Sequence, residues 1–315
     1  MRAAVISQYG RPEALEIREV DKPTPGPRQL LVRVRASSVN PVDCAIRSGA
    51  LRSFIRLRLP TPLGVDFAGV VEGVGREVEG FAVGDEVFGF IDIRVCGAHA
   101  EYAVIDAAAA AKKPASLSWE EAGASPGSGL TAQQALTSVV AVRPGERVLI
   151  NGAGGGVGTF AVQIAKALGC HVTAVGSTSK RELLLSLGAD EVIDYTKQDP
   201  FAARAAYDVI IDCVGNIGVF AARRLLVAGG RCVEVASNPK IMLRALLSKL
   251  LPSKPYKSMY VVPRGSDVEA LAGWFERNEV RVVLDRTYPL EKIAEAHAYV
   301  ERGRSTGKVA ISIAA

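Results

Sequence analysis

The run Asn151-Gly152-Ala153-Gly154-Gly155-Gly156-Val157-Gly158 constrains this chain more than any other stretch. Before it, Arg147-Val148-Leu149-Ile150 is short, apolar and β-branched, the pattern of a buried parallel strand. After it, apolar residues recur at helical spacing from Thr159 to Leu168 and stop at Gly169, a natural left-handed residue past a helix end. The expectation is strand, glycine turn, helix. Such a turn aims the N–H groups of a helix N-terminus at a pyrophosphate and keeps Cβ atoms out of its way. Against Gly-x-Gly-x-x-Gly the chain offers Ala153-x-Gly155-x-x-Gly158, with alanine in the first place, and so short a motif depends on its context.

The context supports it. His171-Val172-Thr173-Ala174-Val175 reads as a second strand and Ser179 to Leu187 as the next helix. Glu191-Val192-Ile193, Tyr207 to Asp212 and Arg231 to Val235 continue the alternation, and Ser258 to Val262 reads as a last strand. Five or six parallel strands with helices on both faces make a doubly wound α/β sheet. Enzymes for NAD commonly place Asp or Glu about 20 residues after the glycine turn, to bind the ribose 2′-hydroxyl. Here Val175-Gly176-Ser177-Thr178-Ser179-Lys180-Arg181 holds no carboxylate, whereas hydroxyls with Lys and Arg suit a 2′-phosphate. NADPH is therefore expected over NADH; the plainer alternative is that Lys180 and Arg181 solvate a helix start.

The flanks have another texture. From Met1 to about Pro114 alternating segments such as Leu31 to Ala36 are broken by Pro and Gly, which predicts a small, strongly bent β-barrel without regular helices between its strands. Gly84-Asp85 reads as a tight turn. Ser118-Trp119-Glu120-Glu121 has capping-box spacing, and Leu130 to Val140 reads as a helix. Pro263-Arg264-Gly265 reads as the return to the first domain, followed by helices near Val268 to Arg277 and Leu290 to Arg302 and a strand at Val309 to Ile313. The domains expected are 1–121 with 264–315, and 122–263 inserted between them. The apolar segment Ile241 to Leu251 could cover a substrate cleft, meet a partner or touch a membrane. Its shortness and Pro252 favour a buried or cleft-lining helix.

The net charge of +5 over 315 residues is spread out, so nucleic acid is not an expected partner. Neither a signal peptide nor an apolar run long enough to span a bilayer is visible, and a cytoplasmic location is expected. The five cysteines are scattered, without a CxxC pair, which suits a reducing compartment.

The order of several further stretches resembles the zinc-free quinone oxidoreductase branch of the medium-chain dehydrogenase/reductase superfamily. They are Ser38-Val39-Asn40-Pro41-Val42-Asp43, Pro62-Leu63-Gly64-Val65-Asp66-Phe67-Ala68-Gly69, Gly129-Leu130-Thr131-Ala132, Leu187-Gly188-Ala189-Asp190, Asp194-Tyr195, Asp212-Cys213-Val214-Gly215 and Gly307-Lys308-Val309. The resemblance implies a GroES-like bent β-barrel domain with an inserted Rossmann domain, and self-association as a homodimer through the strand near Met259 to Val262. Zinc members carry a catalytic Cys where this chain has Asn40 and a His-Glu pair where it has Val65-Asp66. No metal site is therefore expected.

By the same resemblance, Asn40 and Thr131 lie near the nicotinamide and its ribose, and Gly154, Gly155, Gly156 and Val157 meet the pyrophosphate. Gly176, Ser177, Lys180 and Tyr195 surround the adenosine and its 2′-phosphate. Val214, Asn216, Ala236 and Ser237 lie at strand C-termini, where ligands of an open α/β sheet collect. Lys308 is either a cofactor contact or a solvated turn residue, and Tyr195 either a cofactor contact or an ordinary strand-end aromatic. Asn40, Asp43 and Thr131 are the candidate catalytic residues, although Asp43 also fits a bracing role in its loop. Cys44 reads as packing, since the sequence places no base beside it. Without zinc, the chemistry left is hydride transfer from NADPH to a quinone or an α,β-unsaturated carbonyl. The rivals are an enoyl-thioester reductase and a protein that binds NADPH for regulation with little catalysis.

Overall fold

The computed structural model of the chain describes residues 1–235 and 256–313. Its contacts divide the chain into Met1–Leu130, Val262–Asn278 and Val282–Ala315 on one side, and Thr131–Val261 with Glu279–Arg281 on the other. The first break comes later than the expected 121/122 for a local reason. Gly123 lies so close to the strand Gln29–Val39 that a Cβ there would sit 2.6 Å from the Ala36 carbonyl carbon. Four residues on, the Gly127 N–H donates to Asp66 at 2.6 Å, so this segment belongs with the first unit.

In the second unit six strands lie in the order Glu191–Asp194, His171–Gly176, Arg147–Asn151, Tyr207–Asp212, Leu226–Glu234, Tyr256–Ser258. Every pairing is parallel. In chain order that is 3-2-1-4-5-6, the Rossmann arrangement, whose order reverses beside the glycine turn. Val148, Leu149, Ile150, Val209, Ile210 and Ile211 are all buried, as strands covered on both faces require. The last strand is Tyr256–Ser258, not the expected Ser258 to Val262. Its partner ends at Glu234, whose carbonyl accepts from Met259 N–H in the final bond of the ladder. Ala236, Ser237 and the segment Ile241 to Leu251 lie outside the described residues.

The helix expected over Leu130 to Val140 begins earlier, at Pro126, and runs to Gln134. Proline suits the first helical position, and Gly127 and Gly129 hide the helix from a reading of apolar spacing. The chain then widens through Ala135–Val139, closed by a bond from Val140 N–H to the Ala135 carbonyl.

The first unit is built on the strand Gln29–Val39, which pairs with Asp66–Val74, Tyr102–Asp106 and Lys308–Ser312. Register shifts after Leu31 and Val34 bend it. A smaller sheet joins Leu15–Glu19, Arg2–Ile6 and Thr61–Pro62. One expectation fails here, because a regular helix, Pro41–Ser48, does follow the long strand. Asn40 precedes it, Pro41 occupies its first turn and Gly49, with φ of 80°, ends it. The capping box at Ser118 is present: Ser118 N–H donates to Glu121 at 2.9 Å, and Glu121 N–H donates to Ser118 at 3.2 Å.

Candidate functional site

In the second unit the glycine turn separates two kinds of glycine. Gly152 has φ of 74°, and a Cβ there would lie 2.7 Å from Val214. At Gly158 a Cβ would lie 2.3 Å from the Gly152 carbonyl oxygen, so both are glycine for the fold's own sake. Gly155 differs. Its φ is −90°, and its nearest contact for a Cβ would be an ordinary 3.5 Å. Among the described residues nothing demands glycine at this N-cap of the helix Gly156–Ala167. An anionic group approaching the helix N-terminus would. Gly156 and Val157 form the first turn behind it.

Opposite the turn, across the reversal of strand order, Asp212 shapes the loop that carries Val214 and Asn216. Its Oδ1 accepts from the N–H groups of Val214 and Gly215, each at 3.0 Å, and its Oδ2 from Ile217 N–H at 2.9 Å. The Asn151 amide donates at 2.7 Å both to Asp212 and to Asn216. This buried network fixes a loop whose Val214 side chain remains 52% exposed beside the glycines. Sequence pattern alone does not mark Asp212 and Asn151 as site residues. Their signal is only an acid at the end of a strand and an amide opening the turn.

The structure brings Lys180, Gly154, Gly176, Ser177 and Tyr195 together. The Lys180 ammonium donates to the Gly154 carbonyl at 3.2 Å, and its chain would strike a Cβ on Gly154. Tyr195 N–H donates to the Gly176 carbonyl at 3.1 Å, and the Tyr195 ring is exposed. A carboxylate absent from the second strand arrives from the third. Asp194 accepts from the hydroxyls of Thr178 and Thr196 and from Thr196 N–H, and these bonds hold it down at about 2. Lys197 lies 3.7 Å from it. Thr131 lies in the helix Pro126–Gln134, half-buried.

In the first unit a buried polar cluster forms around Asp66. Its carboxylate accepts from Ser38 Oγ at 2.5 Å, Asn40 Nδ2 at 2.9 Å and Gly127 N–H at 2.6 Å, and the Lys308 ammonium lies 3.4 Å away. Lys308 also donates to Asn40 Oδ1, which orients the Asn40 amide with its oxygen toward the ammonium and its nitrogen toward the carboxylate. Lys308 is only 3% exposed, so it is not a solvated turn residue. No local signal could have found this pair, whose members are 242 residues apart.

Asp43 accepts from Asn40 N–H at 2.8 Å while its other oxygen has no partner, which is the bracing role rather than an open acid. Burial first, then the nearby Asp66, raises its pKa to about 7. Cys44 does have a base beside it: His297 Nδ1 lies 3.5 Å from its sulfur. Burial drives the thiol up and the imidazole down, so both are neutral and the pair is a packing contact. His99 packs edge-on against His297 with ring centres 5.7 Å apart, and burial lowers it to about 4.

Residues 26–115 match the family described as alcohol dehydrogenase GroES-like domain, and residues 187–311 match zinc-binding dehydrogenase. The chloroplast envelope quinone oxidoreductase homolog of Arabidopsis thaliana is 32% identical over 322 residues, covering 99% of this chain and 98% of that protein. The human quinone oxidoreductase is 32% identical over 327 residues, covering 98% and 97%. The chain belongs to the quinone oxidoreductase branch of the medium-chain dehydrogenase/reductase superfamily. The solved quinone oxidoreductase of Coxiella burnetii superposes with a TM-score of 0.91 at 28% identity, covering 100% of this chain and 99% of that one. This member of the branch is an oxidoreductase that works with a nicotinamide dinucleotide.

One of the two family descriptions names zinc, and the donor set does not fit it. Val65 has no ligand atom, and Asn40 and Asp66 are tied to each other and to a cation, Lys308. Among the described residues no three His, Cys, Asp or Glu side chains are grouped to hold a metal. Catalytic zinc needs three protein ligands and an open position. The nicotinamide dinucleotide does fit, because Gly155 leaves space at a helix N-terminus that the fold itself does not use.

Proposed function

We propose that this oxidoreductase uses NADPH to reduce quinones or α,β-unsaturated carbonyls, without zinc. The observation that carries the reading is the buried Lys308 ammonium held by Asp66 and Asn40. An ammonium has three N–H donors, and the two named partners leave one for an acceptor oxygen. A bound NADPH would supply a hydride to the β-carbon of an enone or to a quinone. As charge develops on the acceptor oxygen, Lys308 donates a hydrogen bond to it and then a proton, and water reprotonates the amine. Asp66 holds the ammonium in place before the reaction, so no reorganisation is needed when the charge appears. Thr131 and Asn40 serve the nicotinamide end, Asp43 braces the Asn40 turn, and Val214 and Asn216 line the dinucleotide's path.

Lys180 and Ser177 take the 2′-phosphate, supported by the absence of any carboxylate between Gly176 and Arg181 and by the engagement of Asp194 with two threonines. Gly154, Gly155, Gly156 and Val157 present backbone to the pyrophosphate, with Tyr195 against the adenosine. The five cysteines are free thiols, which fits a reducing compartment, and the reading places the enzyme in the cytoplasm. No helix of the described residues is long and apolar enough to cross a membrane. The reading includes a homodimer through the edge strand Tyr256–Ser258, one of the two edges of the described six-stranded sheet, and sedimentation at micromolar concentration tests it.

Stopped-flow oxidation of NADPH against a panel of quinones, enals and enoyl thioesters tests the function. Fast oxidation by quinones and enals is expected. Oxidation by enoyl thioesters alone would replace the reading with a thioester reductase. Tight NADPH binding with no acceptor faster than solvent would leave a regulatory nucleotide-binding protein.

A further inference from the structure

The segment Leu51 to Pro60 departs from the rest of the surface in charge. Between Cys44 and Val65 the sequence contains no Asp or Glu, yet Arg52, Arg56 and Arg58 all face outward. Elsewhere several surface cations are matched: Arg18 with Glu16, Arg28 with Glu77, Arg94 with Asp92, Arg147 with Asp208 and Lys166 with Asp190. Among the described residues none of these three arginines has an ion-pair partner. The neighbouring loop adds exposed Arg11, with Glu13 as its one carboxylate. The two loops touch, since Gly10 N–H donates to the Arg47 carbonyl at 3.0 Å and Tyr9 packs against Gly49.

Between Arg52 and Arg56 in the sequence lies Phe54, 59% exposed. This is not the result of a frayed loop. Phe54 N–H and Ile55 N–H both donate to the Leu51 carbonyl at 2.8 Å, and Leu51 and Ile55 are buried. The turn thus anchors its two aliphatic side chains and projects its aromatic one into water. Scattered exposed apolar residues are ordinary, but an exposed aromatic flanked along the chain by unmatched arginines has the composition of an interfacial anchor. Guanidinium groups bind phosphate oxygens in pairs, and an aromatic side chain settles at the level where headgroups meet acyl chains.

We propose that Arg52, Phe54, Arg56 and Arg58 dock the protein on the surface of a bilayer containing anionic phospholipid. The association is peripheral, made by one loop of the first unit. A soluble phosphate ligand would give no role to the outward phenylalanine. The inference does not depend on the reductase reading, because vesicle binding is measured without turnover and the reductase is measured on water-soluble quinone without vesicles.

The test is co-sedimentation of the full chain with vesicles of phosphatidylcholine alone and of phosphatidylcholine mixed with phosphatidylglycerol. Binding to the mixed vesicles alone is expected, weakening as salt is raised. Each Arg→Gln change should weaken it about 5-fold and Arg52→Gln/Arg56→Gln/Arg58→Gln together about 100-fold, at about 1 kcal/mol per charge. Phe54→Ser should cost about 10-fold. The exposed positions allow the triple variant to fold, which its unchanged thermal unfolding would confirm. Equal binding to both vesicles, or no loss in the folded triple variant, would overturn the proposal. So would a single-stranded oligonucleotide bound more tightly than the mixed vesicles, because the surface would then serve nucleic acid.

Discussion

The two polar regions of this protein are made in opposite ways. In the second unit the nucleotide cradle is made by leaving side chains out: Gly155 clears a helix N-terminus and Gly152 and Gly158 let the turn close. In the first unit the cluster is made by putting charge in, a buried carboxylate with four donors around it, one of them an ammonium. The difference teaches where each is vulnerable. A cradle of backbone fails when atoms are added, whereas a cluster of buried charge fails when one partner is removed.

The largest effect should follow from Lys308→Met. Removing one member of a buried pair leaves Asp66 uncompensated, at a cost of about 3–5 kcal/mol in stability. Asp66→Leu/Lys308→Met together should cost less than the two single changes summed, and urea unfolding of all four proteins would measure the coupling. Lys308→Arg keeps the charge and should restore most of the stability. If Lys308 serves the acceptor oxygen, Lys308→Met also lowers kcat by about 100-fold or more, while Lys308→Arg alters the pH profile of kcat. A folded Lys308→Met enzyme with unchanged kcat would remove the lysine from the proposed chemistry.

Asp43 sharpens the comparison through pH. Its carboxyl titrates near 7 in the folded protein against an ordinary 3.8. Between those values the folded state holds a proton that the unfolded state has lost, so this group's contribution to stability falls as pH rises and levels off above about 7. The span corresponds to on the order of 4 kcal/mol. His99 works in the other direction. Lowered to about 4, it is neutral when folded while the unfolded imidazole is charged, so its contribution rises with pH up to about 6.5. His297 shifts in the same sense. The wild-type curve is therefore a partial cancellation, and Asp43→Asn separates its parts. The variant should gain stability relative to wild type progressively from about pH 4 to about pH 7. A constant gap across that range would show that Asp43 is ionised throughout.

Between two glycines of one turn the contrast can be made within a few residues. Gly158→Ala places a Cβ 2.3 Å from the Gly152 carbonyl oxygen and should destabilise by about 1–3 kcal/mol. Gly155→Ala meets nothing closer than 3.5 Å and should change stability by less than about 1 kcal/mol while weakening nucleotide binding. Thermal unfolding beside calorimetric titration with NADPH separates the two. Comparable loss of stability in both would mean that Gly155 serves the fold and not a ligand.

That contrast also marks what could be read in advance. The Rossmann sheet was legible because its strands are continuous apolar runs and its turn is one contiguous motif. The start of the helix at Pro126 is hidden because Gly127 and Gly129, needed for close packing against Phe90 and Leu271, erase its apolar period, while its end agrees with the expected Val140. Strand Tyr256–Ser258 was placed too late, since its extent is set by a partner ending at Glu234. The Asp66–Lys308 pair and the Cys44–His297 contact were invisible for a simpler reason. Nothing local records that residues 242 and 253 positions apart will meet.

The smallest effect concerns which nucleotide is preferred, and it joins the two styles of construction, because Lys180 is a side chain laid over the glycine turn. Its ammonium bonds to the Gly154 carbonyl, a weak partner that a phosphate would displace. Lys180→Glu should therefore weaken NADPH by about 10–100-fold and NADH much less, since only NADPH carries the 2′-phosphate that the new carboxylate would repel. Asp194 sets the scale of this difference. Its charge is already engaged by Thr178, Thr196 and Lys197, so Asp194→Asn should shift the preference less than Lys180→Glu does. Titration of both variants with both nucleotides decides it, and equal losses of NADPH and NADH in Lys180→Glu would move the 2′-phosphate away from Lys180.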